Sequence, residues 1–146
     1  MKLLEKKIFL FSLLFISFSL LANAQCSEFA KQEIWKTKLS PYTHNGIYVT
    51  QKINQGETVE LYKTFFSNQD YRILICSDNN LPKIEFKILD INRNIIFDNK
   101  ENNLSNIWDF YFNTNLQTII SVHIPNTEDE NLKSGCIAVL IGFLDD

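Results

Sequence analysis

Residues 83–98 read KIEFKILDINRNIIFD, and this stretch decides the fold. In its first part, Ile84, Phe86 and Ile88 alternate with charged or polar neighbours, which is typical of a strand with one buried face. A cluster of Asp and Asn residues follows, and a second apolar run comes after it. Because Asp and Asn favour tight turns, the stretch predicts a β-hairpin closed by a turn at residues 90–94.

Strand-like segments also lie on both sides of this hairpin. They are rich in β-branched and aromatic residues, they are separated by polar breaks, and they cover residues 58–66, 70–76, 107–112, 117–124 and 136–143. Two runs, residues 72–76 and 137–143, are apolar on both faces, so we expect them to be central and covered on both sides. About seven strands at short intervals predict an all-β fold, an antiparallel β-sandwich that is jelly-roll-like.

The segment before these strands has a different pattern. Residues 27–39 predict a short helix with Phe29 and Trp35 on one broad face, and Pro41 ends it. Residues 41–48 are expected to form a loop or an extended stretch around an Asn-Gly pair.

The first residues of the chain predict export. Three lysines precede an apolar run over residues 8–21, and Ala22-Asn23-Ala24 supplies the small residues that a signal peptidase recognises. The run is shorter than the roughly 20 residues of a spanning helix, so no transmembrane segment is expected in the mature chain. We therefore predict a signal peptide at residues 1–24, a single β-sandwich domain over residues 25–146, and a periplasmic or extracellular location. Acylation of Cys26 is disfavoured because the bulky Gln25 precedes it.

The chain has three cysteines, and an oxidising compartment favours one bridge among them. Cys76 and Cys136 each lie beside a run that is apolar on both faces, so the sequence predicts a disulfide between them. Cys26 is expected to lie in a disordered new N-terminus. A zinc site is excluded because no close pair of Cys or His has ligand spacing.

Charge and glycine content exclude two classes of function. The 14 basic and 17 acidic residues give a net charge of −3, and removing the leader with its lysines leaves the chain more acidic. No basic patch for a nucleic acid is visible, so no nucleic-acid partner is expected. Four glycines in the whole chain exclude a Gly-rich phosphate loop, and no cofactor is expected.

The turn of the hairpin is a weak calcium candidate. Asp90, Asn92 and Asn94 place oxygen side chains at the first, third and fifth positions of a calcium loop. The sixth position is Ile95, where an EF-hand needs glycine, and the flanking residues alternate like strands. We therefore interpret the stretch as a plain hairpin turn, and we predict no metal site.

A few histidines and aromatic residues are further candidates. Tyr42 and Tyr48 lie in the predicted loop and are the candidate binding residues, since a loop leaves their rings open to a protein or a glycan. His44 and His123 lack a nucleophile motif, so they are interpreted as surface residues. Trp108 alternates with two phenylalanines and is assigned to the core.

The chain also resembles a group of small secreted Bacteroidetes proteins. The residues that carry this resemblance are 62–66, 69–72, 76, 98, 108–110 and 134–143. The resemblance implies export and brings no activity with it. At greater distance, the strand order is similar to that of pre-peptidase C-terminal and GOLD-type β-sandwiches, which implies an accessory or interaction module.

The leading hypothesis is a secreted non-catalytic module that binds a protein or a glycan at the cell envelope. One alternative is a small secreted hydrolase whose site is assembled from scattered carboxylates or histidines, and another is a calcium-stabilised structural domain. A module should offer a shallow face, whereas an enzyme should show a cleft where carboxylates or a histidine converge.

Overall fold

A computed structural model describes residues 26–144, so the predicted signal peptide at residues 1–24 lies outside the described residues. Eight β-strands form two four-stranded sheets in this part of the chain. All of the strand pairs are antiparallel. The prediction of an all-β antiparallel sandwich is therefore confirmed, with one strand more than expected.

Two short helices precede the strands. Helix α1 covers residues 26–30 and helix α2 covers Glu33–Leu39. The strands are β1 (Thr43–Asn54), β2 (Thr58–Phe65), β3 (Asp70–Ser77), β4 (Glu85–Asp90), β5 (Ile95–Asp98), β6 (Ile107–Tyr111), β7 (Leu116–His123) and β8 (Ser134–Phe143). Sheet 1 has the order β1-β8-β3-β6, and sheet 2 has the order β2-β7-β4-β5.

The main core lies between the two sheets. Alternate residues of each central strand point into it, such as Ile73 and Ile75 of β3, Ile88 of β4 and Ile120 of β7. These four side chains are at most 1 % exposed. Full burial of such a side chain contributes roughly 1.5–3 kcal/mol, so the period-2 pattern of the sequence is what holds the sheets together.

A second core lies on the outer face of sheet 1, beneath the helices. Leu74 of β3 and Leu140 of β8 pack there against Trp35 and Leu39 of α2. The prediction that β3 and β8 are central and covered on both sides is therefore confirmed. Close contact requires a glycine in β8, because a Cβ on Gly142 would lie 2.7 Å from the Cβ of Tyr42.

The predicted disulfide between Cys76 and Cys136 is wrong. The bridge joins Cys26 to Cys136, with Cα atoms 5.3 Å apart. Cys26 is helical and 2 % exposed instead of disordered, and the bridge attaches α1 to β8. Cys76 is a free thiol buried on the outer face of sheet 1, opposite Ala138. Its place beside an apolar run reflects packing under the helices and not a covalent bond.

Candidate functional site

The hairpin turn predicted at residues 90–94 is confirmed. The backbone N–H of Asp90 donates to the carbonyl of Asn94 at 2.9 Å. The carboxylate of Asp90 accepts hydrogen bonds from the side chain of Asn94 and from the backbone N–H groups of Asn94 and Asn92, each at 2.8 Å. These hydrogen bonds, led by the one from the Asn94 side chain, lower the pKa of Asp90. The carboxylate of the weak calcium candidate is thus engaged within the turn.

Tyr42 does not lie on an open loop. Its half-buried ring packs against the helices, and the guanidinium carbon of Arg72 lies 4.5 Å from the ring centre. Arg72 also binds Asp109 through two hydrogen bonds of 2.6 and 2.7 Å, and it donates to the carbonyls of Lys38 and Ser40. Burial, with the nearby Asp109 carboxylate, raises the pKa of Tyr42. This cluster fixes the end of α2 on sheet 1.

Of the loop or extended stretch expected at residues 41–48, the structure has the extended form, because β1 begins at Thr43. The register between β1 and β8 shifts between His44 and Tyr48. The Asn-Gly pair therefore lies at an irregularity within the strand. The backbone of Tyr48 pairs with Leu140, and its side chain lies outside the described part of the structure. A binding role for Tyr42 and Tyr48 stays a prediction.

The remaining aromatic and histidine candidates lie apart from one another. The ring of Trp108 stacks on Phe97 at 4.7 Å and on Phe110 at 4.2 Å, as its assignment to the core predicts. His123 forms a hydrogen bond of 2.9 Å with Thr58 on the neighbouring strand. In residues 26–144, no group of three or more His, Cys, Asp or Glu could hold a metal ion.

A row of apolar residues crosses the outer face of sheet 2. Tyr62 of β2 pairs with Ile119 of β7, Ile119 pairs with Leu89 of β4, and Leu89 pairs with Ile95 of β5. Paired residues lie on the same face of a sheet, and the neighbours of the middle two point into the core. We call these four residues the apolar row.

The ends of the apolar row are open to solvent. Tyr62 is 69 % exposed and Ile95 is 59 % exposed, whereas Ile119 and Leu89 are buried in the middle. Ile91 in the hairpin turn is 60 % exposed and lies beside Tyr62, where the two side chains line a cavity of about 250 Å³ with Gln117 and its neighbours. The apolar row therefore ends in a small notch that could receive one side chain.

An ion pair crosses the face next to the apolar row. Arg93 of the hairpin turn binds the carboxylate of Glu60 on β2 through two hydrogen bonds of 2.9 and 2.8 Å. The hydrogen bond from Arg93 lowers the pKa of Glu60. A second pair, Lys87 with Asp98 at 3.0 Å, lies further along the face. The charged groups beside the apolar residues are thus already paired with one another. The face therefore combines apolar side chains with a charged rim, as protein interfaces do.

Three cavities among the described residues are shallow. They have volumes of about 200, 250 and 320 Å³. None of these three is lined by a histidine or by two carboxylates.

The apolar row was missed by the reasoning from the sequence. One signal was present, since the alternation in β2 places Tyr62 on the same side as Glu60 and Thr64, which is the polar side. A large aromatic residue on a polar face marks a candidate contact surface. Ile91, an aliphatic residue inside a polar turn, was the second signal.

Comparisons with known proteins give structural similarity but no family. No protein-family model matches the chain, and no curated protein matches its sequence. The structure is similar to the crystal structure of Aeromonas hydrophila PliG, a periplasmic lysozyme inhibitor of g-type lysozyme. The TM-score is 0.49 and the identity is 10 %, over 67 % of this chain and 85 % of that chain. A similarity of this size says nothing about what this chain binds, and the resemblance to secreted Bacteroidetes proteins stays a prediction.

Among the helices in residues 26–144, none has both the length and the apolar character to cross a membrane.

Proposed function

We propose that this chain is an exported, non-catalytic module that binds another protein through the outer face of sheet 2. One observation carries the proposal. The outer face of sheet 1 is covered by the chain's own helices, whereas on sheet 2 the two ends of the apolar row, Tyr62 and Ile95, stay open to solvent. An apolar surface that a soluble domain leaves open is a common mark of a contact site.

The geometry of the face suits an anchored contact. Tyr62 offers a large ring, and the notch beside Ile91 can enclose one apolar side chain of a partner. Tyrosine is enriched among the residues that dominate binding energies at interfaces. The ion pair between Glu60 and Arg93 forms part of the rim that would exclude water around this anchor.

The composition of the face favours a protein over a glycan. Tyr62 is the one aromatic residue in the apolar row, and the other three members are aliphatic. Sugars are held by aromatic planes together with hydrogen-bonding groups that fix their hydroxyls. Aliphatic side chains supply neither, but they complement the apolar side chains of another polypeptide.

Export is part of the same proposal. The bridge between Cys26 and Cys136 fits an oxidising compartment, because disulfides persist in secreted and periplasmic proteins. The predicted signal peptide and the resemblance to secreted Bacteroidetes proteins support the same location. We place the protein in the periplasm or outside the cell. Acylation of Cys26 does not fit this arrangement, since its sulfur is in the disulfide.

Photo-cross-linking in cells that produce the protein tests the proposal. A photoreactive residue replaces Ile91 in one variant, and it replaces Tyr111 of β6, which is 47 % exposed on the other sheet, in the control. From position 91 we expect an adduct with a protein other than this chain, and we expect the additional Tyr62→Ser replacement to abolish it. We expect no such adduct from position 111. A glycan adduct, or equal protein adducts from both positions, would contradict the proposal.

A further inference from the structure

We propose that a second copy of this chain pairs antiparallel with the open edge of β2, so that the two copies of sheet 2 form one continuous sheet. This inference goes beyond the proposed function, because it uses the edge of the sheet and not its outer face. The register and the charges of β2 favour a second copy of the chain as the partner of this edge.

The edge of β2 differs from the other three edges of the sandwich. Strands β5 and β6, at two of the edges, have only 4 and 5 residues. Strand β1, at the third edge, is interrupted by a register irregularity. Strand β2 runs for 8 residues without an irregularity or a proline, and it has no neighbour beyond β7 among the described strands. Of the usual protections against edge pairing, β2 lacks a short length, a bulge and a proline, and it carries a single lysine, Lys63.

The backbone groups at this edge can be assigned to residues. The carbonyl of Glu57 accepts from the N–H of Ile124, and the carbonyl of Lys63 accepts from the hydroxyl of Thr118, so both point towards β7. Peptide groups alternate in direction along a strand, so the even-numbered residues of β2 point to the open edge. These residues are Thr58, Glu60, Tyr62 and Thr64.

The side chains at the edge leave apolar surface for an added strand to cover. Val59 and Leu61 point towards the main core but are only partly buried, because no strand lies beyond them. Phe66, directly after β2, is 62 % exposed. A strand paired with β2 would shield all three side chains from water.

One register makes β2 complementary to itself. With Tyr62 opposite Tyr62, Glu60 faces Thr64, Leu61 faces Lys63, and Val59 faces Phe65, so that no like charges meet. Registers centred on Glu60 or Lys63 would place like charges directly opposite. The register centred on Leu61 also avoids this, but it offsets the two apolar rows. Among these registers, only the one centred on Tyr62 joins the two apolar rows end to end across eight strands.

Cross-linking tests the register. Residues opposite each other in a hydrogen-bonded antiparallel pair have Cα atoms about 5.5 Å apart, which a disulfide can bridge. We expect the Tyr62→Cys variant to form a covalent dimer on oxidation. The matched Glu60→Cys variant should not, because its cysteines would lie about four residues apart along the paired strands. Equal yields from the two variants, or none from Tyr62→Cys, would overturn the proposed register.

Sedimentation of the exported chain over a range of concentrations tests the pairing itself. Thr64→Pro removes an N–H that points to the open edge, while it leaves both the ladder with β7 and Tyr62 in place. We expect the unaltered chain to dimerise and Thr64→Pro to raise the dimer dissociation constant at least about tenfold. An unaltered chain that stays monomeric at every concentration, or a Thr64→Pro variant that dimerises equally well, would overturn the proposal. Because Thr64 also lines the notch beside Ile91, the unaltered chain separates the two proposals. An unaltered chain that stays monomeric but still gives adducts with another protein from position 91 would refute this inference and leave the proposed function standing.

Discussion

Replacing Cys26 and Cys136 with serine in one variant should cost a large part of the stability of the domain. The bridge joins residues 110 positions apart. In the chain-entropy model, a closed loop of this length lowers the free energy of the folded state relative to the unfolded state by about 4.8 kcal/mol. Small domains have a total free energy of unfolding of about 5–15 kcal/mol, so the loss amounts to between about a third and nearly all of it.

The assay is urea unfolding followed by circular dichroism and by tryptophan fluorescence. The two tryptophans report on different layers, because Trp35 lies under the helices and Trp108 lies beside the core between the sheets. Without the bridge, we expect the Trp35 signal to change at lower urea concentrations than the Trp108 signal, since α1 is no longer attached to β8.

The matched control is Cys76→Ala, which keeps the disulfide. We expect it to cost only about 1 kcal/mol, from the loss of one buried sulfur. The reasoning would be refuted if the double variant lost less than about 1 kcal/mol. It would also be refuted if Cys76→Ala abolished the bridge, since that result would mean that Cys76 is the partner of Cys136.

Three more predictions follow from single sites. The pKa of the Cys76 thiol is raised by burial to about 12, so iodoacetamide at about pH 8 should label it only after denaturation. Asn99 is fully buried and accepts from the N–H of Phe86 at 2.9 Å, so Asn99→Ala should lower the free energy of unfolding by roughly 2–3 kcal/mol in urea titrations. The pKa of Glu60 is lowered by Arg93, so this pair stabilises the fold above about pH 4.5 and less as the pH falls through the folded pKa. When the pH falls from about 5 to about 3, the free energy of unfolding of Glu60→Gln should therefore decrease by less than that of the unaltered chain, as measured in the same titrations.

The layout of the sandwich could be predicted because it depends on local patterns. The alternation through Ile84, Phe86 and Ile88 has the period of a strand, and the Asp and Asn residues after it have the chemistry of a turn. The two strands that are apolar on both faces could be predicted as covered on both sides, because this pattern is also local. Which segment covers the outer face of sheet 1 could not be predicted, because that depends on how the two short helices dock.

The disulfide and the candidate site depend on contacts between distant segments. Cys26 and Cys76 both lie against the layer under the helices, and nothing in their local sequence distinguishes the one that reaches Cys136. The apolar row can be recognised only when the register of four strands is known, because Tyr62 and Ile95 lie on the two outer strands of the sheet. A sequence shows where strands are, but it does not show how far each one is shifted against its neighbour.

The dissociation constant for the protein captured by cross-linking from position 91 tests the central claim most directly. It would be measured by calorimetry with the unaltered chain, with Tyr62→Ser and with the control Tyr111→Ser. If the outer face of sheet 2 is the binding surface, Tyr62→Ser should weaken binding by roughly 10- to 100-fold, and Tyr111→Ser should leave it unchanged. Equal affinities for all three chains, or equal losses in both variants, would contradict the account.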